Sequence, residues 1–300
     1  MGVQEWLTLA RGVNVVMGAV TVGLGALIVG GASQSGNELP IALHALSVAS
    51  FMAGWNALND IKDIEVDKVN KPNRPLVSGA ITIDSAKKFS ISMMTLSAIC
   101  LGIIVWHAEN YVGEAEWLDS AAIWLLALFL MVAYEFDGLP SKVCLKRRGL
   151  LGNLAVSGLI AVVIVFGAAS VGHGTDILPW IVAICAMMIG TAREVVKDVE
   201  DLAGDTDRET LPKKIGPAAA RSWAWVLALI GFVAMAMPFG LDLLPKGLVV
   251  LMLPAMLTLL ATKPPLAKGE DTKASKLLKR SLMLGLVGFT ATGIYASGLS

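Results

Sequence analysis

Nine stretches of about 20 residues, each almost free of charged side chains, recur along the 300-residue chain. A segment of this length and composition is what an α-helix needs to cross roughly 30 Å of hydrocarbon. With 55% hydrophobic residues and a mean hydropathy of +0.69, the chain is too apolar for a soluble domain of its size. The stretches lie at approximately 12–31, 40–59, 86–107, 120–136, 150–171, 177–192, 222–240, 246–262 and 281–298.

The fold class predicted from these stretches is all-α, a polytopic membrane protein of about nine transmembrane helices in a single domain, 1–300. Helices 1–4 occupy about 12–136, helices 5–8 about 150–262, and helix 9 about 281–298. The fourth and sixth spans are short, and we expect them to extend into flanking polar residues. Residues 263–280 are polar and interrupted by Pro and Gly, which is typical of a loop before the last helix.

The basic residues are distributed unequally between the two sets of connections. With nine spans, one set together with Arg11 holds 23 of the 24 Lys and Arg residues, and only Lys246 lies on the other side. Cytoplasmic loops carry such an excess of positive charge. The sequence therefore predicts a multi-pass cell-membrane protein with its N-terminus and basic loops in the cytoplasm. The lipid bilayer is thus a partner; we expect no nucleic-acid partner, and the sequence identifies no protein partner.

Two acidic clusters lie on that same predicted face. The first is "NDIKDIEVD" at 59–67, and the second is "KDVEDLAGD" at 197–205. Aligning them pairs three aspartates at a constant offset of 138 residues: Asp60 with Asp198, Asp63 with Asp201, and Asp67 with Asp205. Because "RGVN" at 11–14 and "RGLLGN" at 148–153 repeat at nearly the same offset, the chain has a possible internal repeat of four helices plus four, with a ninth appended.

Residues four apart lie on one face of a helix, so each cluster forms a stripe of oxygen-bearing side chains. Asn59, Asp63 and Asp67 form the first stripe, and Asp201 and Asp205 lie on the second. Hard oxygen ligands suit Mg²⁺, which commonly bridges carboxylates to phosphates. The two stripes therefore predict a cradle for Mg²⁺ and a diphosphate, with cationic side chains at the remaining phosphate oxygens. The candidate cations are Arg74, Lys197, Arg193 and, further along the loop, Arg208.

At these residues the sequence resembles the UbiA superfamily of intramembrane prenyltransferases. Asn59, Asp60, Asp63 and Asp67 meet its first signature, NDxxDxxxD, and Asp201 and Asp205 meet its second, DxxxD. The resemblance covers essentially the whole chain. It implies an enzyme that transfers a prenyl group from a prenyl diphosphate, with Mg²⁺ held by Asn59, Asp63, Asp67, Asp201 and Asp205.

Within the superfamily, "REVVKDVEDLAGD" and "TLPKKIG" most resemble the archaeal digeranylgeranylglyceryl phosphate synthases. That resemblance implies geranylgeranyl transfer to a lipid-phosphate acceptor, which makes the second ether link of archaeal membrane lipids. One departure concerns a Tyr-x-x-Lys pattern that superfamily members often carry after helix 4. Here Tyr134 is followed three residues later by Asp137, and either Lys142 or Lys146 stands in for the lysine.

The site assignments fall into two groups. The residues assigned to catalysis are Asp63, Asp67, Asp201, Asp205 and Lys197. The residues assigned to substrate binding are Asn14, Asn59, Asp60, Arg74, Tyr134, Lys142, Lys146, Asn153, Arg193 and Asp198. For Asn14 and Asn153, which are polar residues within apolar spans, a hydrogen bond between helices is the alternative role.

Two alternative functions remain open from the sequence. The first is prenylation of an aromatic acceptor, such as a hydroxybenzoate or naphthoate, in quinone synthesis. The second is a cation transporter with an ion path lined by the aspartates. Transporter carboxylates usually lie near the bilayer midplane on interrupted helices, whereas both clusters here flank polar loops at one face.

Overall fold

The computed structural model describes residues 2–108, 117–136, 144–202 and 209–298, and within them all regular structure is helical. Three short 3₁₀ segments, Gly31–Ser33, Leu145–Arg147 and Lys246–Met252, accompany the α-helices. The α-helices are α1 (Val3–Ala10), α2 (Gly12–Ile28), α3 (Glu38–Lys62), α4 (Ile64–Asn70), α5 (Ile83–His107), α6 (Trp117–Glu135), α7 (Leu150–Ala169), α8 (Ile177–Glu200), α9 (Leu211–Ile215), α10 (Pro217–Gly240), α11 (Leu253–Leu260), α12 (Lys263–Lys268) and α13 (Asp271–Ala296).

The transmembrane prediction is confirmed. In the described part of the chain, eight helical segments are long and apolar enough to cross a membrane, and the bent pair α1–α2 makes a ninth if it counts as one span. Large apolar side chains on these spans stay exposed, among them Phe129 at 63% and Val233 at 63%. Such side chains suit a lipid-facing surface, because hydrocarbon is their natural solvent. The chain is a multi-pass membrane protein.

Two segments differ from the sequence expectation. The first span is preceded by α1, which meets α2 at a bend of 58°. Arg11 forms that bend with a positive φ of 54°. The predicted loop at 263–280 is mostly helical, because the prolines after Lys263 occupy the first positions of α12, where a missing N–H costs nothing. Gly269, with φ +74°, ends α12, and α13 begins at Asp271, ten residues before the predicted start.

The centre of the bundle is a close contact between α2 and α7. A methyl group on Gly25 would lie 2.0 Å from the carbonyl oxygen of Ile164, and one on Gly167 would lie 2.1 Å from that of Val22. Small residues allow backbones in membranes to approach in this way. Helix α3 packs against α2 and α5, and α8 packs against α7 and α10, so α3 and α8 flank the central pair.

The helix boundaries support the predicted internal repeat. Helices α2 and α7 begin 138 residues apart, at Gly12 and Leu150, and α3 and α8 end 138 residues apart, at Lys62 and Glu200. The packing partners of α3 and α8 correspond as well. The repeat therefore places the two acidic clusters at equivalent helix ends.

Candidate active site

Lys146 lies at the centre of the first acidic cluster. Its Nζ donates hydrogen bonds to both carboxylate oxygens of Asp63 at 2.8 and 3.0 Å, to Oε1 of Glu135 at 3.1 Å and to Oδ1 of Asn59 at 3.4 Å. The Asn59 amide also donates to Asp63, at 3.1 Å. Of the two lysines left open by the sequence, the structure brings Lys146 to Asp63. The other, Lys142, lies outside the described residues.

The end of α6 is fixed from outside the helix at three successive residues. The Cys144 thiol donates to the carbonyl oxygen of Tyr134 at 3.4 Å, and Lys62 Nζ donates to the carbonyl oxygen of Glu135 at 3.0 Å. The same Lys62 ammonium lies 3.5 Å from the ring centre of Phe136. The last carbonyls of a helix lack partners inside it. These contacts supply partners and hold the end of α6 beside α3.

Glu135 belongs to this site although it lies in neither acidic motif. Its side chain is only 2% exposed, and within the described residues its Oε2 has no hydrogen-bond partner. A buried carboxylate that is incompletely paired is costly and commonly functional at membrane depth. The sequence signal that could have found it is an acidic residue at the very end of an apolar span, directly after Tyr134.

A second ion-pair group holds the other two aspartates of the first motif. Oδ1 of Asp60 accepts hydrogen bonds from Arg11 at 3.0 Å and from Arg74 at 2.8 Å. Arg74 also donates to Oδ2 of Asp67. The Asp60 and Asp67 side chains are 5% and 6% exposed. Arg74, which the sequence assigned to the diphosphate, therefore ties the loop after α4 to the end of α3 in this structure.

The first motif does not form a single stripe on a continuous helix. α3 ends at Lys62, α4 begins at Ile64, and Asp63 between them has φ −87° and ψ 8°. The backbone hydrogen bond from Asp63 to the carbonyl of Asn59 is retained at 2.9 Å. The motif is therefore divided between Asn59 and Asp63, which contact Lys146, and the Arg74 group.

The second cluster is organised around Glu194 and Asp198. Glu194 accepts a hydrogen bond from Arg193 at 2.7 Å and one from Lys197 at 3.0 Å. Asn153 of α7 donates to Oδ2 of Asp198 of α8 at 2.8 Å, which is the bond between helices given as its alternative role. Asp201 caps α8 and is exposed.

Of four further candidate residues, two are located in the structure and two lie outside the described residues. Asn14 is exposed in the first turn of α2. Tyr134 is half-buried and is the penultimate residue of α6. Asp205 and Arg208 of the second cluster lie outside the described residues.

The segment 144–149 reaches both clusters. Lys146 contacts Asp63 of the first cluster. Three residues later, a methyl group on Gly149, at φ +48°, would lie 2.8 Å from the carbonyl oxygen of Glu209, in the segment that follows the second cluster. Both helix ends and this segment therefore lie at the same end of the bundle, as two acidic clusters that share one substrate require.

The donor set fits a hard divalent cation. Within the described residues, no three acidic, histidine or cysteine side chains converge closely enough to hold a metal by themselves. Three oxygens from Asn59 and Asp63 do converge on one cation, the Lys146 ammonium. Carboxylate and amide oxygens are the ligands that Mg²⁺ prefers, and it keeps several waters or phosphate oxygens besides. The residues present can therefore contribute part of a Mg²⁺ shell.

Comparison with known proteins identifies the family. Residues 16–286 match the UbiA prenyltransferase family. A digeranylgeranylglyceryl phosphate synthase of Methanopyrus kandleri is 32% identical over 293 residues, covering 96% of this chain and 99% of the relative. The enzyme of the same name from Methanosarcina mazei is 29% identical over 303 residues, covering 97% of this chain and 98% of the relative.

Solved structures share the fold along the whole chain. The structure of a digeranylgeranylglyceryl phosphate synthase superposes with a TM-score of 0.76 at 25% identity, covering 97% of this chain and 98% of the other. A UbiA homologue from Archaeoglobus fulgidus bound to GPP and Mg²⁺ superposes with a TM-score of 0.67 at 19% identity, covering 98% and 99%. The described helices, the two acidic helix ends and the family match agree, and the chain therefore belongs to the UbiA prenyltransferase family.

Proposed function

We propose that this membrane prenyltransferase transfers a geranylgeranyl group from geranylgeranyl diphosphate to the free hydroxyl of geranylgeranylglyceryl phosphate. The observation that carries the proposal is the near full-length similarity to relatives named digeranylgeranylglyceryl phosphate synthase. Such similarity includes the apolar spans as well as the motifs. Family membership also favours group transfer over the cation-transporter alternative.

The reaction breaks the bond between the allylic carbon and the diphosphate oxygen, and forms an ether bond from the acceptor hydroxyl to that carbon. The hydroxyl proton leaves to solvent, and diphosphate departs with the bonding electron pair. Negative charge therefore grows on the leaving group during the reaction. Preorganised cations that contact that charge lower the barrier.

Lys146 is the cation best placed for this role. Its ammonium lies beside Asp63 and Asn59, so a diphosphate bound next to those residues lies within its reach. Asp201, at the equivalent helix end, adds a further carboxylate, and the DxxxD motif assigns Asp205 to the same role. Lys197, 40% exposed, and Arg193 are further donors to phosphate oxygens from α8.

Asn59, Asp63, Asp201 and Asp205 would hold Mg²⁺, which when bound neutralises the departing diphosphate. Asp67 joins this set if Arg74 releases the Asp67 carboxylate and binds a phosphate oxygen of the substrate instead. That exchange keeps Asp60 paired, because Arg11 also donates to it.

We further propose that this opening faces the cytoplasm. The support is the charge asymmetry of the loops, which places 23 of 24 basic residues on the side of the acidic clusters. The donor would enter with its diphosphate at this face and its prenyl chain among the apolar spans.

In the test, the purified protein is incubated with radiolabelled geranylgeranyl diphosphate as donor. The two acceptors, geranylgeranylglyceryl phosphate and 4-hydroxybenzoate, are present in equal amounts. We expect label in the doubly alkylated glycerophosphate. Label only in the aromatic product would show that the acceptor is an aromatic quinone precursor and not the lipid phosphate. Cation flux through proteoliposomes without release of diphosphate would reject group transfer altogether.

A further inference from the structure

Glu135 combines deep burial with incomplete pairing. Its side chain is 2% exposed, its Oε1 accepts a hydrogen bond from Lys146 at 3.1 Å, and within the described residues its Oε2 has no partner. Its own backbone carbonyl is held by Lys62. The carboxylate is therefore fixed in position and reaches the site through Lys146.

Lys146 is shared between two carboxylates that differ in their exposure to solvent. Asp63 is 27% exposed, whereas Glu135 is 2% exposed. One ammonium facing two carboxylates leaves this group with a net charge of −1. An incoming divalent cation is therefore attracted to the group, and it can reach Asp63 much more readily than Glu135.

Once a cation binds Asp63, the contact between Asp63 and Lys146 weakens, since the cation and the ammonium repel each other. Without a second partner, Lys146 would then turn away into solvent. Glu135 is that second partner, because it is buried and already accepts a hydrogen bond from the ammonium at 3.1 Å.

On the basis of the proposed function, we propose that Glu135 is a positioning residue that keeps Lys146 at the opening and directs its ammonium toward the departing diphosphate. Glu135 acts through Lys146 and touches neither metal nor substrate. Removal of outer-shell partners that orient metal ligands typically costs about 10-fold to 100-fold in activity, and we expect the same range for a partner that orients Lys146.

The test is a double-mutant cycle with Glu135→Gln, Lys146→Met and the double variant, measured as diphosphate release at saturating Mg²⁺. Glu135→Gln keeps the shape of the side chain and removes its charge. We expect it to lower kcat about 10-fold to 100-fold in the wild-type background and to have no further effect when Lys146 is already methionine. A residue that acts only on the fold, or as a metal ligand, would lower activity in both backgrounds.

Thermal unfolding without metal or substrate supplies a second readout. Lys146→Met leaves the buried Glu135 carboxylate unpaired, so we expect its melting temperature to lie below that of the double variant, in which the charge is gone. Glu65→Gln is the matched control, because Glu65 also pairs with a lysine, Lys68 at 2.7 Å, but is 76% exposed. We expect this control to match wild type in both measurements.

Three results would overturn the inference: wild-type activity of Glu135→Gln, equal losses in both backgrounds, or a double variant no more stable than Lys146→Met. If Glu135→Gln does not fold, Glu135→Met, which also removes the charge, replaces it in the same cycle. Diphosphate release is measured with whichever acceptor the wild-type enzyme turns over. An error in the proposed acceptor therefore appears in the product and leaves the cycle interpretable.

Discussion

Asp63 and Asp201 occupy the same structural position in two halves of the chain. Each follows the last residue of a long helix, with φ −87° and ψ 8° at Asp63 and φ −86° and ψ 0° at Asp201. Each backbone N–H donates to the carbonyl four residues earlier at 2.9 Å. Two carboxylates presented identically at one end of the bundle are suited to hold a metal from two sides.

The first prediction concerns these two carboxylates. We expect Asp63→Asn and Asp201→Asn each to lower turnover about 100-fold or more, because each removes a charge that stabilises the metal and leaving group. The measurement is diphosphate release by purified protein, with the melting temperature recorded for each variant. The control is Asp242→Asn. Asp242 is exposed, pairs with Lys246, and lies just after the C-terminal end of α10. Full activity of both variants would contradict the assigned metal role.

The second prediction concerns the stability provided by Arg74. Its removal leaves the buried Asp67 carboxylate unpaired, and breaking a buried ion pair in this way costs about 3 kcal/mol. We therefore expect Arg74→Ala to unfold at a markedly lower temperature in detergent. Lys68→Ala serves for comparison, since its pair with Glu65 is exposed and surface pairs contribute less than about 1 kcal/mol. Equal melting temperatures for the two variants would refute the structural role of Arg74.

The third prediction tests the contact between α2 and α7. Gly25→Ala places a methyl group against the α7 backbone, which cannot move without shifting the helix. Overpacking of this kind costs roughly 1–3 kcal/mol. Gly23→Ala, two residues away on the same helix, meets nothing within 4 Å and should be tolerated. Circular-dichroism melting curves of both variants test this prediction. Indistinguishable curves would show that α2 and α7 do not approach closely.

The fourth prediction concerns orientation in the membrane. Ser78 is exposed beside the first cluster, and Ser35 is exposed at the other end of the bundle. In right-side-out vesicles, a membrane-impermeant maleimide should label Ser35→Cys and spare Ser78→Cys. The three native cysteines are buried, so background labelling should be low. The reverse pattern would invert the proposed topology.

Much of the fold was predictable because lipid imposes a strong constraint on sequence. Each span requires about 20 apolar residues, and positive charge marks the cytoplasmic loops. The bend at Arg11 was not predictable, since a non-glycine residue with positive φ leaves no compositional signal. The helical character of 263–280 was missed because the prolines lie at helix starts, where they are tolerated, and were interpreted as loop residues.

Residues of the candidate site were predictable from the sequence only where they belong to a regularly spaced motif. Asp63 and Asp201 follow from a regular spacing, and the structure places them at equivalent helix ends. Lys146 contacts Asp63, 83 residues away along the chain, and Glu135, 11 residues away. The sequence offered Lys146 only as one of two alternatives and did not identify Glu135. The pairing of Arg74 with Asp60 and Asp67 also depends on how the loop folds back onto α3.

The most direct test of the account is a structure of the protein with Mn²⁺ in place of Mg²⁺ and a geranylgeranyl thiolodiphosphate that resists cleavage. Anomalous scattering would locate the metal. We predict metal within coordinating distance of Asp63 and Asp201, with the diphosphate bridging them and Lys146 contacting its oxygens. Metal and diphosphate bound away from these two helix ends would contradict the account.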